Sequence, residues 1–384
     1  MVLTEGNFYD VAVIGAGPAS CSAARALAHK GVRVVLIEKA SLPRYKTCGG
    51  GVLGRAYRLL PNRAREVVER EFCSVSLNFL GAGLDFVARR PTPLVYMTMR
   101  ADLDLVLARE AGTAGAKVVD SWPVRKIALG DEGVEVFGDA GSFRARFLIG
   151  ADGVHSATAK AAGWSELPRL APALEWEVFL GEQDFERFSG MARFDFNVIQ
   201  GGYAWVFPKR DHLSVGILSM RRRSSGLQAQ LERYLRHVGI GQIQSVERHG
   251  HLIPLLPRRE KLGRGRVLLA GDAAGLLDPL TAEGISSAIL SGQLAADALS
   301  DGQFDVSQVS RRYNTLLEGA LLGELRAARF LANLLYNHPR LRHWAFRRQG
   351  RRLTNFVADV VMGQRSYRDA LRSPASYWKM LGVK

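Results

Sequence analysis

Cysteine is scarce in this 384-residue chain: three occur, Cys21, Cys48 and Cys73. No two form a Cys-x-x-Cys pair, which excludes zinc ribbons and thioredoxin-like redox motifs, and three thiols fall short of the usual four-cysteine set of an iron–sulfur cluster. The expectation is a cytosolic protein with reduced thiols. A run of 18 or more apolar residues is also missing, so no transmembrane helix is expected. Residues 1–9 carry an acid and no basic run, which does not fit a signal peptide. No internal repeat or low-complexity tract occurs. Acids are the minority charge, 37 against 52 Lys and Arg, for a net +15. The excess gathers in residues 340–384, where eleven Lys or Arg meet two acids. A solvated helical face is the commonest meaning of such a run. Nucleic-acid binding is not expected, because no helix-turn-helix, zinc or RNP signature accompanies it. Attraction to an anionic membrane surface is the third reading.

What is present is a large apolar fraction, 47%, enough for two or three domains and a core without disulfides. Asp10–Ile14 reads as a short buried strand, followed by Gly15-Ala16-Gly17-Pro18-Ala19-Ser20 and an Ala-rich helix over 21–30. Gly31 ends that helix, and a second strand over 32–37 closes on Glu38. This is a complete βαβ opening. Gly15 permits the tight turn, Gly17 lets the backbone approach a pyrophosphate, and the helix N-terminus supplies N–H groups. Ser20 replaces the usual third glycine and is small enough for close packing. Glu38 follows Gly15 by 23 residues, a placement that suits a carboxylate accepting from a ribose 2′-OH and so favours NAD or FAD over NADP in this pocket. A chance glycine turn is the bland alternative, and the strand, helix and acid around it argue otherwise.

Further helices are expected over 100–110, 227–238, 285–299 and most of 311–362. Short strands are expected over 117–120, 124–129, 134–137, 143–149 and 267–270, and an antiparallel sheet over the aromatic stretch 174–218. Two later blocks bear on the ligand. Phe147–Gly153 is a strand running into Asp152-Gly153. Gly271-Asp272-Ala273-Ala274-Gly275 follows a strand and precedes Asp278-Pro279-Leu280-Thr281-Ala282-Glu283-Gly284-Ile285 and a small-residue helix. Asp272 can bond a ribityl hydroxyl. The helix opening at Gly284–Ile285 suits the negative charge of a reduced flavin at its N1/O2 edge. Each piece alone is compatible with an ordinary turn; their order is not readily produced by chance.

In that order, with Pro43-Arg44-Tyr45-Lys46-Thr47-Cys48-Gly49-Gly50-Gly51 and Arg100-Ala101-Asp102-Leu103-Asp104 between them, the chain resembles flavoproteins of the p-hydroxybenzoate hydroxylase fold. More narrowly it resembles the geranylgeranyl reductase family, on Tyr203-Ala204-Trp205-Val206-Phe207-Pro208-Lys209, which is similar to that family's Tyr-x-Trp-x-Phe-Pro signature. The resemblance implies an α/β fold in three parts. A discontinuous Rossmann-type FAD-binding domain takes residues 1–75, 99–167 and 262–304. An antiparallel-sheet substrate domain takes 76–98 and 168–261, and a basic helical region takes 305–384. It implies FAD contacts from Gly15, Gly17, Pro18, Ala19, Glu38, Lys39, Arg44, Cys48, Gly49, Gly51, Arg100, Val124, Asp152, Gly153, Gly271, Asp272, Pro279, Gly284 and Ile285. Tyr203, Trp205, Phe207 and Pro208 would contact substrate. Ala282 stands where family members often have glycine.

The implied activity is saturation of carbon–carbon double bonds in a prenylated lipid or pigment. Electrons would come from NADPH, NADH or a ferredoxin. Rivals are a monooxygenase or halogenase of the same fold, an electron-transfer flavoprotein feeding quinone, and an FAD-bound protein without turnover. The halogenase Trp-x-Trp-x-Ile-Pro signature does not match. Tyr203 and Trp205 alternate and so share a strand face, either as core aromatics or as the wall of a prenyl tunnel. Cys48 reads as a packed thiol near the flavin, with catalysis the lesser alternative. His249 and His251 alternate without a third ligand, so no metal is expected and both read as structural or surface residues, as does His155. With such a substrate, Trp344, Phe346, Phe356, Tyr367, Tyr377 and Trp378 among the arginines point to peripheral attachment at the inner face of a membrane.

Overall fold

The computed structural model describes residues 8–165, 169–221 and 225–372. Its first sheet is built on the apolar strand Phe8–Ile14, where Val11, Ala12 and Val13 have no exposed surface. That strand lies between Val34–Ile37 and Gly141–Gly150, both parallel to it. Lys117–Val119 and Val267–Leu269 extend the parallel order on either side. The Lys126–Leu129 and Val134–Gly138 hairpin hangs antiparallel from Gly141–Gly150. Strands buried on both faces read as continuous apolar runs, which is why these segments stood out. The helix Pro18–His29 packs its Ala23, Ala24 and Leu27 side into this core. The helix Ile285–Asp301 lies against it.

The second sheet has seven strands in the order Ile243–Pro254, Leu170–Leu180, Leu213–Ser219, Gly202–Pro208, Ala192–Phe196, Ser74–Phe79 and Leu84–Arg89. Five of its six pairings are antiparallel, as expected, and one is parallel: Ala192–Phe196 runs alongside Ser74–Phe79 in the same direction. The two strands are separated in sequence by a full crossover through the first sheet, which removes the hairpin that would force them antiparallel. Ile243–Pro254 was not expected as a strand. It is an edge strand whose side chains are mostly polar and exposed, so it carries no apolar alternation. A small sheet of Gly51–Leu53, Val95–Met97 and Arg70–Phe72 joins the two large ones.

The helices Gly323–Asn337 and Pro339–Val361 cover one face of the second sheet, the latter interrupted at Gln349, whose φ of −134° is not helical. This corrects the interfacial reading of the aromatic residues. Phe346, Phe356 and Tyr367 are 7%, 8% and 2% exposed and belong to the core between helices and sheet. Phe346 and Phe356 face inward from the 339–361 helix together with Arg342, while Arg347, Arg348, Arg351 and Arg352 are exposed on its outer side. Trp344 is exposed; Tyr377 and Trp378 lie outside the described residues. No helix among the described residues is long and apolar enough to cross a membrane.

Candidate active site

One continuous cavity of about 1020 Å³ runs from the first sheet to the second. That is large for a single small ligand. At one end it is a dinucleotide cleft. Gly15 turns the chain with φ +102°, and a Cβ there would stand 2.5 Å from the Ala151 carbonyl oxygen. At Gly17, by contrast, no protein atom lies within 4 Å of a would-be Cβ, leaving room over the N-terminus of Pro18–His29. Ser20, at the third glycine position, accepts the Gly17 N–H with its own hydroxyl at 3.0 Å and so fixes the first turn. Glu38 is 4% exposed. Its carboxylate accepts the Ala16 N–H at 2.8 Å and the Ala40 N–H at 3.1 Å, with Arg44 Nε at 3.3 Å. Four lone-pair sites leave capacity for ribose hydroxyls. Arg44 and Arg100 both converge on the buried Asp104.

Farther along, Asp272 lines the cavity with no protein donor on its carboxylate among the described residues. Gly284 and Ile285 open the 285–301 helix at the same wall, placing its positive end there. A helix N-terminus with vacant room above it, a buried carboxylate with acceptor capacity to spare and a second free acid beside a second helix N-terminus form a set of groups that fits FAD. Asp152 lines the cavity as well, but its carboxylate accepts from Ser156 Oγ and from the Thr158 N–H and Oγ1, holding a local turn. Of the residues expected from sequence to contact FAD or substrate, all but Pro208 and Pro279 lie on the cavity wall.

The loop 278–283 is clamped from four sides. Arg55 reaches Asp278 at 2.7 Å and Glu283 at 3.0 Å, Tyr367 donates to Asp278 at 2.8 Å, Tyr203 to the Thr281 carbonyl and Tyr336 to the Leu280 carbonyl, both at 2.7 Å. Arg55, Tyr336 and Tyr367 carried no sequence signal for this role, because their partners lie over 50 residues away in the chain. Ala282 holds φ +57°, a conformation that costs a side-chain-bearing residue roughly 1–2 kcal/mol.

The second sheet turns one face to the cavity. Across its strands, directly opposed residues share that face: Ala173, Leu218, Tyr203 and Phe196 in one row, and Glu175, Gly216, Trp205, Phe194 and Leu77 in the next. Leu331, Leu335, Phe346, Val357 and Val361 close the opposite side. This half is apolar and aromatic. Trp205 lies flat over Gly216, where a Cβ would stand 2.0 Å from the indole, and donates from Nε1 to Ser214 Oγ at 3.3 Å. The loop Cys48–Gly51 passes between the two halves, with Gly49 against Phe207 and Trp205.

A polar corner completes the wall. His251, expected as structural or surface, is brought to the cavity by the edge strand opposite Ala173. Its Nε2 is 2.6 Å from Lys46 Nζ. Burial first, then the Lys46, His155 and Arg100 charges, lower His251 to about 4. It is therefore a neutral acceptor at physiological pH. Burial also lowers Lys46. His249 stacks on Tyr45, ring centroids 4.1 Å apart. Among the described residues no cluster of three His, Cys, Asp or Glu side chains could hold a metal.

Residues 8–201 match the family of FAD binding domains. Digeranylgeranylglycerophospholipid reductase 1 of Methanopyrus kandleri is 32% identical over 356 residues, 85% of this chain and 90% of that protein. The structure of a geranylgeranyl bacteriochlorophyll reductase-like protein of Thermoplasma acidophilum superposes with a TM-score of 0.77 at 23% identity, covering 98% of this chain and 96% of that one. A flavin-dependent brominase superposes with a TM-score of 0.71 at 20% identity over 93% and 94%. These two structural likenesses are of fold and do not separate reductase from halogenase. The sequence relative does, and with the dinucleotide cleft it establishes that the chain belongs to the geranylgeranyl reductase family of FAD-dependent oxidoreductases.

Proposed function

We propose that the protein saturates carbon–carbon double bonds of a polyprenyl chain carried on a lipid or pigment, with NADPH, NADH or a ferredoxin as electron donor. The observation that carries this reading is the continuity of the cavity: a dinucleotide cleft opens directly onto an enclosed half walled by Leu77, Phe194, Phe196, Trp205, Phe207 and Leu218. Bound FAD supplies the two-electron chemistry, and the protein supplies position and a dry environment. An isolated alkene offers no carbonyl to polarise, so orientation within the apolar half matters more than an oxyanion hole. Tyr203 serves twice, as wall and as anchor of the 278–283 loop beside the cofactor cleft.

The test is anaerobic incubation of the holoenzyme with reductant and geranylgeranyl diphosphate, followed by mass spectrometry. Products heavier by one hydrogen pair per reduced bond are expected. An oxygenated or halogenated product formed only in air would refute the reading and favour the monooxygenase branch.

The same reading places the protein at the surface of an anionic membrane. Phe330, Leu341 and Trp344 are 48%, 44% and 39% exposed, and the first two also line the cavity. Arg340, Arg347 and Arg348 are exposed beside them. Apolar side chains ringed by arginine at a cavity mouth suit a lipid interface. Binding to vesicles containing anionic lipid should be measurable by co-sedimentation and should weaken as salt is raised. Equal binding to neutral vesicles, or none to either, would count against this placement.

A further inference from the structure

Saturating an alkene needs a proton as well as a hydride equivalent, and the apolar half holds few groups able to give one. Tyr203 and Tyr336 donate to backbone carbonyls and Trp205 donates to Ser214. Glu175 differs. It lines the cavity, is 1% exposed, and stands in the same row as Trp205 and Phe194. Cys48 N–H donates to its Oε2 and Ser214 Oγ to its Oε1, both at 2.6 Å. A hydroxyl can accept as readily as it donates, so Ser214 accommodates either protonation state. Glu177, two residues on and on the same strand face, is 3% exposed. Tyr45 donates to Glu177 Oε1 at 3.2 Å. His212 Nε2 stands 2.8 Å from Glu177 Oε2. His212 Nδ1 meets Asp211 Oδ1 at 2.8 Å, and the Asp211 side chain is 71% exposed. A line of titratable groups thus leads from solvent to the cavity wall.

Resting on the reductase reading above, we propose that Glu175 delivers the proton to the alkene and that Glu177, His212 and Asp211 return one from solvent. The π pair of the double bond becomes the new C–H bond to the Glu175 proton. The neighbouring carbon takes the hydride equivalent from a reduced flavin, which is oxidised. Glu175 is left as a carboxylate, held by Cys48 N–H and Ser214 until it is reprotonated. Burial, then the Glu177 charge, raises Glu175 to about 7; the Ser214 hydrogen bond, Lys209 and the Cys48 N–H act in the opposite direction. His249 faces it from the neighbouring strand, and Tyr45 from the loop. His212 is raised: burial opposes its charge, but Glu177 and Asp211 outweigh it. A raised carboxyl is a competent acid below its folded pKa and loses its proton above it. Prenyl reduction should therefore fall as pH rises through about 7.

The test uses the holoenzyme. With flavin chemically reduced and geranylgeranyl diphosphate added, flavin reoxidation in Glu175→Gln should be slower by about 100-fold or more, with the alkaline limb gone. Reduction of the flavin by the chemical reductant should be unaffected. Infrared difference spectra across pH should show a carboxyl band titrating near neutrality in the natural protein and not in Glu175→Gln. Glu177→Gln removes a negative neighbour, so it should move the alkaline limb to lower pH by about one unit. If Glu175→Gln retains no flavin, the Glu177→Gln profile decides, and an unmoved limb overturns the proposal. Glu175→Gln turning over near the natural rate with an unchanged pH profile would overturn the proton assignment and leave the reductase reading intact. A natural protein whose reduced flavin no prenyl substrate reoxidises would overturn both.

Discussion

Gly17→Val is expected to give a folded but colourless protein. The backbone at Gly17 has φ −92° and ψ −177°, a conformation open to any residue. A Cβ there meets no protein atom within 4 Å. The added Cβ therefore meets no strain in the fold, and its cost is the poorer N-cap, roughly 1 kcal/mol. The room it fills is where a pyrophosphate approaches the helix N-terminus. FAD affinity should fall by at least about 100-fold, equivalent to roughly 2.7 kcal/mol. The visible flavin band per protein, read beside a thermal melt, checks both halves of the statement. Gly15 provides the contrast. At φ +102°, with Ala151 O 2.5 Å from a would-be Cβ, Gly15→Ala strikes the fold before it strikes the ligand. A yellow Gly17→Val protein with natural flavin content would place the pyrophosphate elsewhere.

Where the sequence was legible, the signal was local. The βαβ opening announces itself because Asp10–Ile14, the Gly15–Ser20 turn and Glu38 lie within thirty residues and each obeys a short-range rule. The same holds for Gly271–Gly275 and the helix that follows Gly284. Tyr203 and Trp205 were legible through their alternation, although alternation alone could not say which face of the sheet they would share with a cavity. Glu175 and Glu177 show the opposite case. In Glu175-Trp176-Glu177-Val178 the acids alternate with apolar residues, the pattern of a strand with one wet face. Here helices and the Cys48 loop cover that face, and both acids are buried. Only the long-range pairing with Ser214 and the arrival of Cys48 N–H, 127 residues distant, show why they can be. His251 was set aside for the same reason: its strand is polar and lies on an edge, and its partner Lys46 comes from 205 residues earlier. The inward turn of Phe346, Phe356 and Tyr367 was equally hidden by the arginines that flank them.

Gly216→Val should have the opposite signature to Gly17→Val: full flavin and little prenyl turnover. Gly216 sits on the strand beside Trp205, and a Cβ there would stand 2.0 Å from the indole ring. Valine cannot share that space, so the indole must lift off the strand. The far face of the sheet is filled by Ala204, Val206, Val215 and Ile217, which leaves the cavity as the direction of displacement. The ring would then leave Ser214, its Nε1 partner at 3.3 Å, and intrude between Phe194, Phe207 and the 48–51 loop. Overpacking of this kind costs about 1–3 kcal/mol of stability, and Gly216 is not itself on the cavity wall. An ångström of misplacement at a reacting centre is enough to lose about 100-fold in rate. Turnover of geranylgeranyl diphosphate should fall by about that factor, and a substrate of a single isoprene unit, which need not thread past the indole, should be less affected. Kinetics on both chain lengths, with flavin content as the control, measure this directly. Equal losses on both substrates would mean that Gly216 supports the sheet without shaping a tunnel. An unequal loss would tie the apolar half of the cavity to the length of the chain it receives, because a packing defect without a tunnel has no reason to discriminate by length.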